Sequence, residues 1–372
     1  MVAIGRRKGA MLSRRTLRIV GRWWSLPFAL LTVVFLVGET IGAAQAGRFP
    51  DFTPMPGVSA RGVAVDKSGS VYVSVGQGSG SSEHILVWRF TPAGEPSFVA
   101  DFGQGTIGGL MVTPDGDLYV ALAAGLDRGV WRMDRDGQIE LVPGSNMIFF
   151  ANGLAFDDVG TLYVTESVSM GPAGPGQGGV WRIPRGGVAE LCLRDPLLTG
   201  DGRLRQPVPI GANGIAYYHG NLYITNTEQG TVVRIPTWPD GSVGTPELWT
   251  TLNEVPESPL VGAPLPVAGD GIALDVHGNV YVAVLTRSAV VRIDAQTLAQ
   301  ETLAAFQVVP NDSVPNAPFD FPASLFFGTG EGERTSLFVS NLGLGRGTVP
   351  PLPWAGPGLV KIDAGVPGRP LH

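Results

Sequence analysis

The sequence predicts an all-β fold, a six-bladed β-propeller of four-stranded antiparallel blades closed by its own N-terminal strand. Three observations predict it. One strand-rich unit recurs six times, Gly (53) and Pro (31) together exceed a fifth of the 372 residues, and 44% of the chain is apolar. Such a composition suits short buried strands joined by tight turns and is too apolar for disorder.

Each repeat opens on a small or polar residue, usually followed by Gly, and then a short apolar stretch. The openings are Arg61, Gly108, Asn152, Asn213, Asp270 and Ala323, as in Asn152-Gly153-Leu154-Ala155-Phe156. A turn leads to an apolar-aromatic-apolar triplet: Val71-Tyr72-Val73, Leu118-Tyr119-Val120, Leu162-Tyr163-Val164, Leu222-Tyr223-Ile224, Val280-Tyr281-Val282 and Leu337-Phe338-Val339. These two segments read as a hairpin. A third segment alternates apolar and basic residues, as in Val130-Trp131-Arg132-Met133 and Val290-Val291-Arg292-Ile293, which marks a strand with one outward face. A weaker fourth, such as Ile139-Glu140-Leu141-Val142, completes a four-stranded unit. Units of this kind packed radially are propeller blades. Spacings of 47, 44, 61, 57 and 53 residues between openings leave the unit constant and put the variation in loops. Residues Arg48 to Phe52 resemble a fourth strand, so they are expected to pair with the last blade and remove the open sheet edges.

Residues 1–46 read as an export signal. Seven basic residues, among them the twin-arginine-like Ser13-Arg14-Arg15-Thr16-Leu17-Arg18, precede an apolar run from Leu26 to Val37 and a cleavage-like Ala44-Gln45-Ala46. Residues 47–372 then form a single propeller domain, expected to be secreted or periplasmic and monomeric, with a retained membrane anchor as the alternative. Cleavage leaves 19 basic against 31 acidic residues, a net charge of −12. No basic cluster remains, which argues against nucleic acid or an anionic membrane as partner and leaves a small molecule. Cys192 is the only cysteine, so no intrachain disulfide is available. The four histidines are scattered through the repeat, and no Gly-x-Ser-x-Gly elbow occurs, so neither a zinc site nor a serine triad is supported.

In a propeller the first strand of every blade lines the central channel, so the six opening residues converge at one mouth. That ring is polar at Arg61, Asn152, Asn213 and Asp270 and small at Gly108 and Ala323. The ends of the second strands are expected to add Glu166, Asn226 and Asn341 as a further layer of substrate-binding residues. Two amides and one carboxylate offer the hard oxygen donors of a calcium-type site. A plainer reading makes each Asn-Gly or Asp-Gly a turn.

The strings Ala151-Asn152-Gly153-Leu154-Ala155-Phe156-Asp157, Ala212-Asn213-Gly214-Ile215-Ala216 and Gly269-Asp270-Gly271-Ile272-Ala273-Leu274-Asp275 resemble the gluconolactonase and senescence-marker-protein (regucalcin) family, as does Pro322-Ala323-Ser324-Leu325-Phe326-Phe327-Gly328. The resemblance spans about residues 55 to 363. It implies a hydrolase of lactones or related esters in which Asn213 and Asp270 hold a divalent metal, Asn152 touches metal or substrate, and Asp270 assists water. One departure stands out: the family's first-blade metal-binding glutamate falls where this sequence has Arg61. Glu166 is the nearest substitute from the second layer. Arg61 could instead pair with Asp270 in the ion's place, which would make a metal-free ligand-binding or protein-interaction propeller.

Overall fold

The structure is a computed structural model, and it describes residues 52–54, 59–78, 83–171, 174–253, 265–306, 316–344 and 356–371. Six four-stranded antiparallel sheets follow one another along the chain. In blade 1 the strands are Ser59–Val65, Val71–Gln77, His84–Phe90 and Pro96–Gln104. Blade 2 is built from Thr106–Val112, Leu118–Ala123, Gly129–Met133 and Ile139–Leu141, and blade 3 from Ala151–Phe156, Leu162–Glu166, Gly179–Ile183 and Glu190–Arg194. Blade 4 comprises Ala212–Tyr218, Asn221–Asn226, Thr231–Pro236 and Glu247–Thr251; blade 5 comprises Gly269–Leu274, Val280–Val284, Ala289–Ile293 and Gln300–Ala305. Blade 6 takes Pro322–Phe327, Ser336–Asn341 and Gly358–Asp363 from the end of the chain. Its outer strand is Phe52–Pro54, which pairs with Val360 to Gly358 and joins the two ends of the repeat. The closing strand therefore lies at the end of the expected Arg48–Phe52 segment and just beyond it. The remainder of that segment, like residues 1–46, is outside the described residues.

The buried side chains divide into six cores, one between each pair of neighbouring blades. The triplet explains why. Its two flanking residues face the blade's own core on one side, as Val71 and Val73 do toward blade 6. Its central ring crosses to the following blade: Tyr72 joins the blade 1–2 core, Tyr163 the blade 3–4 core, and Phe338 returns from blade 6 to blade 1. Tyr119 and Phe156 meet edge to face at 5.3 Å across blades 2 and 3, and Tyr281 and Phe327 at 5.1 Å across blades 5 and 6. Each such pair adds about 0.5–1.5 kcal/mol beyond the area it buries. The basic residue of the third strand lies opposite that aromatic and reaches an acid on the fourth: Arg132 to Glu140, Arg182 to Glu190, Arg234 to Glu247 and Arg292 to Glu301. These pairs are largely solvent-facing and order the rim more than they stabilise it.

The chain after blade 6 runs across the end of the channel opposite the six openings. Gly368 bridges Asp275 of blade 5, the Arg369 amide donates to Leu274 O, and the Arg369 guanidinium meets Asp158 at 2.7 Å. The same guanidinium donates to Tyr217 O and lies 4.9 Å over the Tyr217 ring. Arg369, Pro370 and Leu371 thus form the floor of a cavity of about 140 Å³ whose walls are the first strands of all six blades.

Candidate active site at the channel mouth

All six first strands carry a β-bulge at the same place: one residue too many sits between Ala60 and Val63, Ile107 and Leu110, Ala151 and Leu154, Ala212 and Ile215, Gly269 and Ile272, and Pro322 and Leu325. The residues inside the bulges are the six openings and their successors. Bulges re-aim side chains next to active sites, and here the device is repeated around a ring. None of the six openings lies at positive φ, so the turn reading of Asn-Gly and Asp-Gly gives way to a strand one. Glycine is required by proximity instead. A Cβ on Gly153, Gly214 or Gly271 would come within 2.6 Å of the carbonyl of Asn213, Asp270 or Ala323 on the next blade.

A hydroxyl on the second strand fastens each of several bulges. Thr165 accepts from the Gly153 amide at 2.8 Å and donates to Asn213 O at 2.5 Å, linking blade 3 to blade 4. Thr225 donates to Asp270 O at 2.5 Å, linking blades 4 and 5. Ser340 accepts from Ser324 and donates to Arg61 O, which joins blade 6 to blade 1. Ser74 takes the Gly62 amide at 2.9 Å. The backbone positions of Asn213, Asp270 and Arg61 are therefore each set by the blade before them. Sequence reasoning passed over these hydroxyls, although they recur one residue after the aromatic triplet.

Asp270, Asn213 and Arg61 come together electrostatically. The Asp270 carboxyl keeps limited contact with solvent but is ringed by protein, and loss of hydration pushes its pKa up to about 7; the Arg61 charge and a hydrogen bond from the Asn213 amide oppose that rise. The Asn213 nitrogen also donates to Thr227 Oγ1 at 2.9 Å. Asn152 donates through Nδ2 to Ser167 Oγ at 3.0 Å, and Ser167 in turn bonds Ala212 O at 2.6 Å, beside Asn213. Arg61 is partly exposed and uses Nε on Ser59 Oγ at 3.3 Å. It forms no ion pair with Asp270, so the pairing considered from sequence is a field effect and not a bond.

Glu166, Asn226 and Asn341 differ from the expectation of a substrate-binding layer. All three are buried, and each ties down the loop that enters its own blade. The Glu166 carboxylate receives the Phe149 amide at 2.9 Å, Trp181 Nε1 at 2.8 Å and Arg194 at 2.7 Å. Asn226 Nδ2 donates to Leu197 O and Thr199 O, and Asn341 Nδ2 to Pro318 O at 2.7 Å. With both oxygens engaged by protein donors, Glu166 is not free to replace the missing first-blade acid. A carboxylate absent from the sequence reading is Glu228, which is fully buried next to Thr227. It accepts from the Gly202 amide, and its other oxygen has no partner among the described residues.

No protein-family model matches the sequence, and no curated protein does. Solved structures do. A luciferin-regenerating enzyme aligns over 84% of this chain and 94% of its own at 16% identity, with a TM-score of 0.59. A calcium-binding regucalcin from Agrobacterium tumefaciens aligns over 88% and 97% at 16% identity, TM-score 0.57. A gluconolactonase from Xanthomonas campestris aligns over 87% and 92% at 17% identity, TM-score 0.54. The fold is that of the gluconolactonase and regucalcin propellers. The six-bladed repeat read from the triplets and the likeness read from the Asn-Gly and Asp-Gly strings arrive at the same architecture.

Proposed function

We propose that the protein hydrolyses a lactone or closely related ester at the mouth of the propeller channel, with Asp270 as general base. The carrying observation is a carboxyl with a pKa near 7, fixed at the polar half of the ring by Asn213 and by a bulge that Thr225 holds from the neighbouring blade. A base of that strength is half ionised at neutral pH and still able to take a proton, the range in which such catalysis is most effective. Ionised Asp270 removes a proton from water as the water oxygen adds to the carbonyl carbon. The ring C–O bond then breaks, and the proton passes to the departing alkoxide. The amide of Asn152 has a second N–H beyond the one bonded to Ser167, and this polarises the carbonyl.

Calcium, which the resemblance implies, fits this donor set poorly. The ion takes 6–8 oxygens, commonly with several carboxylates. Here the ring offers one carboxylate, Asn213 turns its amide nitrogen toward it, and the Arg61 cation occupies the place of the expected acid. Among the described residues no group of three or more His, Cys, Asp or Glu could hold a metal. The hydrolysis is therefore assigned to the side chains of the ring alone. A panel of aldonolactones and aryl esters, assayed with and without EDTA, tests the reading: hydrolysis insensitive to the chelator supports it, and loss of activity on chelation with recovery on calcium overturns the metal-free form.

We also propose export of a monomeric mature chain beginning near Gly47, on the strength of the N-terminal basic and apolar pattern. N-terminal sequencing of the protein recovered outside the cytoplasm, together with its sedimentation mass, checks both points.

A further inference from the structure

Arg61 is the only cation in the ring of six openings, and its surroundings leave it available. The blades on either side place Gly108 and Ala323 at the equivalent positions, so no long side chain flanks it within the ring. Across the mouth stand Asn152, Asn213 and Asp270. Among the described residues its side-chain bond is from Nε to the neutral Ser59 hydroxyl, and no carboxylate there forms an ion pair with it. Elsewhere in the molecule Arg132, Arg182, Arg194, Arg234, Arg292 and Arg369 each hold a carboxylate. Among the described residues Arg89 and Arg128 likewise hold no carboxylate, but Arg89 is bonded to Ser70 Oγ and Arg128 to Asn146 O, and neither belongs to the ring of openings.

We propose that Arg61 is an anion subsite, and that the site takes a substrate carrying a carboxylate remote from the carbonyl being attacked. This rests on the hydrolase reading for the reacting end of the substrate. With Nε turned toward Ser59, the two terminal nitrogens of the guanidinium remain to grip a carboxylate in the two-pronged geometry that favours Arg over Lys. A substrate with an anion at one end and a lactone carbonyl at the other then spans the ring from its small, basic side to its polar, acidic side. The arrangement also supplies the selectivity that an apolar channel could not: a neutral lactone leaves the guanidinium without its partner.

The test compares a neutral lactone of gluconic acid with a lactone of glucaric acid, which keeps a free carboxylate, on the wild-type protein, Arg61→Gln and Arg61→Lys. The wild type is expected to favour the carboxylated lactone through KM. Arg61→Gln should lose roughly 10–100-fold in kcat/KM on that substrate relative to the neutral one, the scale of a charge-assisted hydrogen-bonded contact, and Arg61→Lys should recover only part of it. Equal losses on both lactones, or no wild-type preference, would overturn the subsite and leave Arg61 as a tuner of Asp270. A second arm reads the subsite without turnover, by calorimetric titration of glucarate. Binding to the wild type that is lost in Arg61→Gln supports it, and binding that is absent or equal in both overturns it. If neither lactone is turned over, that result counts against the hydrolase reading alone, and the titration decides the subsite.

Discussion

In the proposed hydrolysis Asp270 is the base, and its environment makes a prediction about stability as well as rate. An unfolded Asp ionises near pH 4, whereas in the folded ring the value is about 7. Between those limits the folded state binds more protons, so stability falls as pH rises through that window and the full penalty stands above it. Asp270→Asn removes the penalty. Thermal melts should show the variant stabilised by up to about 4 kcal/mol at pH 8, with little change at pH 4, while hydrolysis is lost. Equal melting of the two proteins at pH 8 would show that the carboxylate is well solvated after all. The place of this residue in the ring was legible in the sequence because Asp270-Gly271 repeats the place of Asn152-Gly153 and Asn213-Gly214. The roles of Glu166, Asn226 and Asn341 were not, because strand direction brings them toward the mouth but says nothing of the loop carbonyls and amides that claim them.

Two elements support the first strands, one of them legible as a residue that recurs after the triplet and the other carrying no repeat. The first is the interblade hydroxyl on the second strand, seen in Thr165, Thr225 and Ser340. Replacing Thr225 by Val keeps the shape and removes the donor to Asp270 O. Denaturant unfolding should register a loss of about 1–2 kcal/mol, accompanied by a lower kcat as the bulge under Asp270 loosens; an unchanged kcat would mean that the Gly271 contact alone fixes the bulge. The second is the C-terminal strap. The nine residues after Asp363 carry no repeat and give no periodic signal, yet Arg369 joins Asp158 of blade 3, the Tyr217 carbonyl and ring of blade 4 and, through its amide, blade 5. Arg369→Ala should cost about 1–3 kcal/mol and lower the melting midpoint by several degrees. A midpoint within a degree of wild type would mean that the strap merely rests on the ring.

At the scale of the whole molecule, the propeller was legible because its energetics are repetitive. Tyr72, Tyr119, Tyr163, Tyr223, Tyr281 and Phe338 each hand one ring to the next blade, so six small cores replace one large one and every repeat must keep the same triplet. The last blade is completed from the other end of the chain, at Phe52–Pro54, which shares Phe52 with the expected Arg48–Phe52 segment and begins four residues later. The ring is less repetitive than the fold: Arg61, Asn152, Asn213 and Asp270 differ from blade to blade, and their common bulge is what brings them to one place. The account therefore turns on whether that ring performs hydrolysis through Asp270. The most direct measurement is kcat/KM against pH for a hydrolysed lactone, in EDTA, for the wild type and Asp270→Asn. A wild-type rate that rises with an inflection near pH 7 and falls at least ~100-fold in the variant is predicted; full activity in the variant, or a flat profile that collapses in EDTA, would contradict it.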